Sequence, residues 1–278
     1  MRNAALALLL VLSASIPLSS AHAKGTTVLP PAEDSALAAL NRSPRHGEWV
    51  DVAYAGHTPL RTWVVYPERK DKAGVVLVIH EIFGLTDWIR AVADRLAAEG
   101  FIAVAPDLIS GLGPGGGGTD STTSRDDAVK LVRLLTLEES VARIGVVSDW
   151  ATKLPSANGK LATIGFCWGG GRSFAAAAMN PAPRGCVVYY GTAPDSAQIL
   201  LVKAPVLAHY GGDDARVNAT IDAAKTALEQ QKVSYDPHIY AGAGHGFLRQ
   251  QTLRDGANQK AAAESWPLTI AFLRSHLK

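Results

Sequence analysis

Short apolar runs alternate with longer amphipathic segments along this chain. The run at residues 75–79, Val-Val-Leu-Val-Ile, is apolar throughout, which is typical of a strand covered on both faces. The pattern predicts strands at Trp49–Ala55, Leu60–Tyr66, Val75–His80, Phe101–Ala105, Leu161–Phe166, Cys186–Tyr190, Val206–Tyr210 and Tyr235–Tyr240. It predicts helices at Thr86–Glu99, Ser124–Lys153, Gly170–Met179, Arg216–Gln231 and Lys260–Leu277. This alternation indicates right-handed crossovers and a single, mainly parallel sheet with helices on both faces.

Two stretches depart from the alternation. Only the Gly56-His57 turn separates the first two strands, so we expect them to form an antiparallel hairpin at the N-terminal edge of the sheet. Gly111–Gly118 formally contains a G-x-G-x-x-G pattern, but Pro114 interrupts it and no helix follows its last glycine directly. We therefore predict a flexible surface loop here and not a nucleotide site. With no interdomain linker evident, residues 24–278 are predicted to form one α/β domain.

Residues 1–23 have the layout of a secretory signal. Arg2 provides a short basic start, an apolar stretch follows, and the segment ends in the small-x-small sequence Ala21-His22-Ala23. The apolar stretch is about 15 residues long, whereas a membrane span needs about 20. We therefore expect cleavage after Ala23 and a secreted or periplasmic protein with no membrane anchor after cleavage.

Composition narrows the classes of partner. The 278 residues carry 27 Lys and Arg against 25 Asp and Glu, a formal net charge of +2, which gives no electrostatic footprint for nucleic acid. Two cysteines cannot build a disulfide framework, and no Cys/His spacing indicates structural zinc. A small molecule is the expected ligand, no cofactor or metal is implied, and the oligomeric state stays open.

Candidate chemistry is concentrated at residues 165–171, GFCWGGG. A strand precedes this segment and an Ala-rich helix follows it, so Cys167 lies on a tight strand-to-helix turn. This arrangement is the thiol version of the nucleophile elbow. A helix N-terminus also favours a thiolate. The alternative is a buried structural cysteine between glycines, which the elbow context makes less favoured.

A nucleophile of this kind needs a base and an orienting carboxylate. His245 follows the last predicted strand in the glycine-rich segment AGAGHGF, which suits an exposed catalytic loop. Asp213 and Asp214 follow the strand Val206–Tyr210, and the order nucleophile, acid, histidine matches the hydrolase pattern. From the spacing alone either aspartate could orient the imidazole.

Four motifs in order give the sequence a resemblance to the dienelactone hydrolase (carboxymethylenebutenolidase) family of the α/β-hydrolase fold. They are HEIFG at 80–84, the Cys elbow at 165–170, GGDDARV at 211–217 and AGHGFLR at 243–249. The resemblance covers about Val75 to the C-terminus. It implies an α/β-hydrolase fold with an antiparallel N-terminal edge hairpin, and it selects Asp214 as the orienting carboxylate.

The resemblance also implies roles for the site residues. Cys167 would attack an ester carbonyl, His245 would serve as base and then acid, and Asp214 would orient it. The backbone N–H groups of Ile82 and Trp168 would form the oxyanion hole. Glu81 would hold the resting thiol until substrate displaces it.

Substrate binding is implied for Phe83 and Arg249. The family uses two arginines for the carboxylate of its lactone. Arg249 matches one of them, whereas residues 107–111 contain no arginine for the second, and Arg125 beyond the glycine loop is a candidate replacement.

Three functions remain open at this stage. The first is a Cys-His-Asp hydrolase of small esters or lactones, the second is a non-catalytic binding protein on the same scaffold, and the third is a thioesterase or peptidase with the same triad. A disulfide is not expected, because Cys167 and Cys186 fall at opposite ends of neighbouring parallel strands, roughly 15 Å apart. Cys167 should therefore remain a thiol in an oxidising compartment.

Overall fold

The computed structural model describes residues 27–278, so the predicted signal at 1–23 lies outside the described residues. The strands are β1 (Gly47–Val52), β2 (Leu60–Val65), β3 (Ala73–Ile79), β4 (Ile102–Pro106), β5 (Ala157–Phe166), β6 (Cys186–Tyr189), β7 (Val206–Gly211) and β8 (Tyr235–Tyr240). The helices are α1 (Ala36–Asn41), α2 (Asp87–Ala98), α3 (Arg125–Leu134), α4 (Leu137–Ala151), α5 (Trp168–Ala176), α6 (Ser196–Ile199), α7 (Ala215–Asn218), α8 (Ile221–Gln230) and α9 (Ala257–Leu277). Within the described chain, no helix is both long and apolar enough to cross a bilayer.

The eight strands form one sheet in the order β1-β2-β4-β3-β5-β6-β7-β8. β1 pairs antiparallel with β2, and β2 pairs antiparallel with β4. The remaining pairs, from β4 across to β8, are parallel. The predicted fold class is therefore confirmed, including the antiparallel hairpin at the N-terminal edge.

Apolar side chains on both faces of the sheet explain why the central strands are apolar throughout. On β3, Val76 and Val78 belong to the core beneath α2 and α9, whereas Val75 and Leu77 belong to the core beneath α4. A third apolar cluster packs α5 and α8 against β6 and β7. A strand that is covered by helices on both sides loses the polar alternation of a half-exposed strand.

The segment Ser124–Lys153, predicted as one helix, is two helices in the structure. Leu135 has an extended backbone, and the Thr136 side chain accepts a hydrogen bond from the N–H of Glu139 at 3.1 Å. Thr136 thus caps the start of α4, and the Thr-x-x-Glu spacing is a capping signal that the hydrophobic pattern alone did not reveal. The segment Arg216–Gln231 is likewise divided, into α7 and α8.

The glycine-rich segment 111–124 is a surface loop, but it is anchored at its base. The buried Asp107 carboxylate accepts hydrogen bonds from the backbone N–H and the hydroxyl of Thr119, at 2.6 and 2.9 Å. The Thr119 hydroxyl in turn accepts the N–H of Leu85 at 2.9 Å, beside the loop that follows β3. These bonds fasten to the sheet a loop that composition alone predicted to be flexible.

The connections of β3 create a crevice at one end of the sheet. The chain leaves β3 through α2 to β4 on one side and later enters β5 on the other side of β3. Crossovers that leave in opposite directions open a gap at the carboxyl ends of the two strands, where open α/β sheets bind ligands. The residues after β3, β5, β7 and β8 all emerge at this edge.

Candidate active site

The turn between β5 and α5 holds Cys167 in a conformation that few side chains adopt. Cys167 has φ 55° and ψ −117° and caps the N-terminus of α5. A Cβ on Gly165 would lie 1.9 Å from the carbonyl oxygen of Gly169, and a Cβ on Gly169 would lie 2.2 Å from the carbonyl oxygen of His80. The glycines of the elbow are therefore required for close packing of the turn against its helix and against β3.

The loop after β3 is held in place by a buried histidine. His80 Nδ1 donates to the carbonyl oxygen of Glu81 at 2.7 Å, and His80 Nε2 accepts the N–H of Leu108 at 3.1 Å. These two partners require the neutral tautomer with its proton on Nδ1, and burial lowers the pKa of His80 in agreement. His80 thus fixes the backbone from which Glu81 and Ile82 project.

Two backbone N–H groups converge on the sulfur of Cys167. They belong to Ile82 and Trp168, and both donate towards the thiol. Strand register accounts for the meeting, because Ile79 pairs with Gly165 and the two strands end side by side. The structure therefore brings together the two groups that the sequence resemblance associates with an oxyanion hole, with the sulfur lying between them.

The thiol of Cys167 is protonated at neutral pH in this arrangement. Its pKa is raised to about 11, first by burial and then by the nearby negative charge of Glu81. Both influences outweigh the two N–H donors, which lower the pKa. The helix N-terminus therefore favours a thiolate, as expected from the sequence, but burial and Glu81 outweigh it in this resting geometry.

Glu81 lies beneath the thiol as a buried carboxyl group that is 2% exposed. Its Oε2 atom is 2.7 Å from Nε of Arg249, which forms the ion pair. Burial raises the pKa of Glu81 to about 7, even though Arg249 opposes the shift. Glu81 can therefore gain or lose a proton near neutral pH, next to a Cys167 thiol that keeps its proton.

Asp214 and His245 meet at the carboxyl ends of β7 and β8, which β6 separates from β5. The register pairs Gly211 of β7 with Tyr240 of β8, and His245 Nδ1 lies 2.5 Å from Asp214 Oδ2. The neighbouring Asp213 instead pairs with the exposed Arg254 at 2.8 Å. Among the described side chains no hydrogen bond links His245 to Cys167.

Tyr190 is a buried residue at the centre of the site. Its ring centroid lies 5.2 Å from that of His245, and its hydroxyl has no hydrogen-bond partner among the described residues. Burial, with the charges of Glu81 and Cys167, raises the pKa of Tyr190 well above its usual value. The sequence does not distinguish a pocket-lining role from core packing for this tyrosine at a strand end.

Arg249 and Arg125 flank Phe83 on the substrate side of the crevice. The guanidinium carbon of Arg125 is 4.9 Å from the centroid of Phe83, and that of Arg249 is 5.2 Å away. Both arginines also form ion pairs with the same carboxylate, Glu33, at the start of the chain segment before α1. Sequence analysis missed Glu33, because its segment shows no periodic pattern and no motif.

The two thiols stay apart as expected from the strand directions. Cys186 pairs in register with Thr163, four residues before Cys167, and both cysteines are free. Between residues 27 and 278, no cluster of three or more His, Cys, Asp or Glu side chains could hold a metal ion.

Comparison with known proteins gives this geometry a context. The sequence model of the dienelactone hydrolase family matches residues 60–277. The chain belongs to the dienelactone hydrolase family. It is 32% identical over 224 residues to a carboxymethylenebutenolidase of Pseudomonas putida, an alignment covering 80% of this chain and 93% of that protein.

Solved structures agree with this membership. A dienelactone hydrolase from Anabaena variabilis aligns with a TM-score of 0.63 at 25% identity, over 84% of this chain and 99% of that one. A dienelactone hydrolase-like promiscuous phosphotriesterase from metagenomic libraries aligns with a TM-score of 0.70 at 22% identity, over 84% and 99%, which supports the fold alone. This member of the family has the α/β-hydrolase fold and is a hydrolase that acts on ester or lactone bonds.

Proposed function

We propose that the enzyme hydrolyses small ester or lactone substrates with Cys167 as nucleophile, His245 as acid–base and Asp214 as its orienting partner. The observation that carries this proposal is the position of the Cys167 sulfur. It lies on a strained elbow beside two backbone N–H donors, with one strand, β6, between its strand and the pair β7–β8 that carries the hydrogen-bonded Asp214 and His245. A structural cysteine would require none of these neighbours.

In the resting state the thiol itself occupies the oxyanion hole. The sulfur must therefore turn away from Ile82 and Trp168 before a carbonyl oxygen can accept their N–H groups. Attack of the sulfur on the carbonyl carbon then forms a tetrahedral intermediate whose negative oxygen is stabilised by both donors. One such donor contributes about 3 kcal/mol to transition-state stabilisation in other hydrolases.

The proton on Cys167 needs an acceptor before the attack. Glu81 is the adjacent carboxyl group, and its partner Arg249 keeps the Glu81 pKa from rising further. A substrate whose acyl group enters the crevice and breaks the contact between Arg249 and Glu81 makes Glu81 a stronger base, so Glu81 can take the thiol proton. Activation of the nucleophile is thereby coupled to substrate binding.

His245 completes the cycle. The proton that Glu81 took from the thiol passes through His245 to the leaving alkoxide as the thioester forms, so Glu81 and the imidazole return to their resting states. The neutral imidazole then removes a proton from the attacking water and gives it to the departing sulfur. The thioester is hydrolysed to a carboxylic acid, which regenerates the free thiol. Asp214 accepts the Nδ1 proton throughout and keeps Nε2 available for these transfers.

The test is hydrolysis of short p-nitrophenyl esters by the purified protein. C167A should reduce kcat/KM to the uncatalysed background. C186A, which removes the other thiol, should retain activity because Cys186 is buried in the core away from the site. Equal rates for C167A and the wild type would refute the nucleophile assignment, and ligand binding without turnover by the wild type would favour a non-catalytic binding protein.

A panel of substrates tests which class of acyl compound the enzyme prefers. Thioesters and short peptides offered beside oxygen esters separate an esterase from a thioesterase or peptidase with the same three residues. We expect the oxygen esters to give the highest kcat/KM. A thioester preference of tenfold or more would replace the ester assignment.

We also propose that the protein is exported to the periplasm or secreted after cleavage behind Ala23. The basic start, the apolar stretch and the small-x-small ending of residues 1–23 support this proposal. Mass spectrometry of the protein from the producing cell's extracytoplasmic fraction should find Lys24 as the first residue. An intact N-terminus in the cytoplasmic fraction would contradict it.

A further inference from the structure

A carboxylate of the chain itself occupies the arginine pair beside the nucleophile. Glu33 Oε2 lies 2.5 Å from Nη1 of Arg249, and Glu33 Oε1 forms an ion pair with Nη2 of Arg125. The two guanidinium groups also lie against the ring of Phe83. Two arginines that converge on one carboxylate and one aromatic ring have the composition of a binding site for a carboxylate.

Several hydrogen bonds hold the segment that carries Glu33. The N–H of Glu33 donates to the carbonyl oxygen of Arg249 at 3.0 Å. The Gln251 side chain donates to the carbonyl of Pro30 at 2.9 Å, and the Trp88 indole donates to the carbonyl of Pro31 at 3.1 Å. Because both side chains come from the body of the fold, tertiary contacts at Glu33 and at the residues just before it position its backbone.

The arginine pair is connected to the nucleophile by charge. Arg249 bridges Glu33 and Glu81, and the Glu81 charge acts on the Cys167 thiol. Arg125 and Arg249 are close enough that the positive charge of Arg249, together with burial, lowers the pKa of Arg125. Without Glu33, the guanidinium groups of Arg125 and Arg249 would lie close together with only the buried carboxyl group of Glu81 to balance their charge.

We propose that Glu33 is a specificity-determining residue that occupies the arginine pair and excludes substrates bearing a carboxylate at this position. The enzyme then acts on neutral esters or lactones. This inference rests on the proposed function, since it concerns the selectivity of the same site. A substrate carboxylate has to displace Glu33 from Arg125 and Arg249, whereas a neutral acyl group of the same length does not.

The experiment compares two esters of similar length on the full mature chain. p-Nitrophenyl butyrate is neutral, and p-nitrophenyl hemisuccinate carries a terminal carboxylate. The measured quantity is the ratio of kcat/KM for the charged ester to kcat/KM for the neutral one. E33A should raise this ratio about tenfold or more, the scale of one charge-assisted hydrogen bond that becomes available to the substrate.

Three further variants make the result specific. E33Q keeps the length of the side chain and removes its charge, so it should raise the ratio by a smaller factor and serves if E33A does not fold. E33A/R125A should lose the gain, because the vacated site then lacks one guanidinium group. D34A removes the adjacent exposed carboxylate, which has no ion-pair partner among the described residues, and should leave the ratio unchanged.

The outcomes separate this proposal from the one on which it rests. If the neutral ester is hydrolysed through Cys167 but the ratio does not rise in E33A or E33Q, the role of Glu33 is refuted and the hydrolase assignment stands. A gain that persists in E33A/R125A also refutes the role of the arginine pair. If C167A hydrolyses the neutral ester as fast as the wild type, the hydrolase mechanism itself fails.

Discussion

At Cys167, opposing influences act on one sulfur atom. Two N–H groups and a helix N-terminus stabilise the thiolate, while burial and the charge of Glu81 stabilise the thiol, with the net result that the Cys167 pKa is raised to about 11. A nucleophile that is protonated at rest is also protected from oxidation and alkylation, because the thiolate is the reactive form. The resting site therefore keeps its reactive group inactive until a substrate rearranges the charges.

Removal of the Glu81 charge should make the thiol more reactive towards iodoacetamide. E81Q takes away one of the two causes that raise the Cys167 pKa, so the thiolate fraction at pH 8 and the alkylation rate should rise by about tenfold per pKa unit recovered. Ester hydrolysis should fall in the same variant, because the proton acceptor is lost. Mass spectrometry of the Cys167 peptide over time measures the first effect.

A slower or unchanged alkylation rate in E81Q would show that Glu81 does not control the thiol. The buried Cys186 serves as an internal reference, since its pKa is raised to about 12 chiefly by burial and its labelling should stay negligible in both proteins.

The adjacent aspartates offer a matched pair of variants. D214N should lower kcat by roughly 10² to 10⁴, because the amide no longer fixes the His245 tautomer that leaves Nε2 free. D213N should leave kcat within about twofold, since Asp213 pairs with Arg254 on the surface. Steady-state kinetics on one neutral ester provides both values, and a larger loss in D213N would reverse the assignment.

Among single elements, the helix α5 depends most on glycine. The elbow before it packs so closely that the backbone carbonyls of β3 and α5 occupy the space of any Cβ. Periodicity places a helix here but starts it at Gly170, whereas the structure starts it at Trp168. The difference arises because glycine has a low helix propensity, so the glycines at the start of α5 weaken the sequence signal for a helix. Close packing requires glycine at these same positions.

Two glycine-to-alanine changes should have opposite effects on stability. In G169A the new Cβ would lie 2.2 Å from the carbonyl oxygen of His80, directly after β3, so the free energy of unfolding should fall by about 2 kcal/mol or more. In G145A, within α4, the nearest atom is 3.7 Å away, and alanine should stabilise the helix by about 0.5–1 kcal/mol.

Chemical denaturation of both variants tests this contrast. G169A should also lose ester hydrolysis, because the elbow must shift to accommodate the methyl group, whereas G145A should keep it. Similar stability for the two variants would contradict the close packing assigned to the elbow.

For the molecule as a whole, the buried carboxyl of Glu81 makes folding depend on pH. Its folded-state pKa of about 7 lies above the ordinary value of 4.5, so between these limits the folded chain binds a proton that the unfolded chain releases. Stability from this group is present at low pH and is lost as the pH rises through 7. The site thus lowers global stability at the pH where it is ready to accept a proton.

E81Q has no such titration, so its stability relative to the wild type should increase with pH. The difference in unfolding free energy should grow by up to about 3 kcal/mol from pH 5 to pH 8, because the Glu81 pKa is raised from 4.5 to about 7 on folding. Denaturation at several pH values measures the trend, and E264Q, at an exposed position of α9, controls for loss of a carboxylate. A flat difference for E81Q would contradict the raised pKa of Glu81.

The sequence by itself determined the architecture and the order of the candidate site. Continuous apolar runs predicted the buried strands, the alternation with helices predicted the parallel sheet, and four short motifs placed Glu81, Cys167, Asp214 and His245 at strand ends. These features are local, because side-chain periodicity and turn chemistry act over a few neighbouring residues. The segment Ser124–Lys153 was wrongly predicted as one helix, because periodicity does not show the extended Leu135 or the Thr136 cap that starts α4.

Only the tertiary structure decided how the charges are paired. The protonation of Cys167 depends on burial and on Glu81, 86 positions earlier in the chain. Arg125 joins Arg249 at Phe83 through the packing of a glycine-rich loop, and Glu33 reaches both from a segment without any motif. Electrostatic interactions act through space and depend on solvent exposure, so a linear pattern of residues does not contain them.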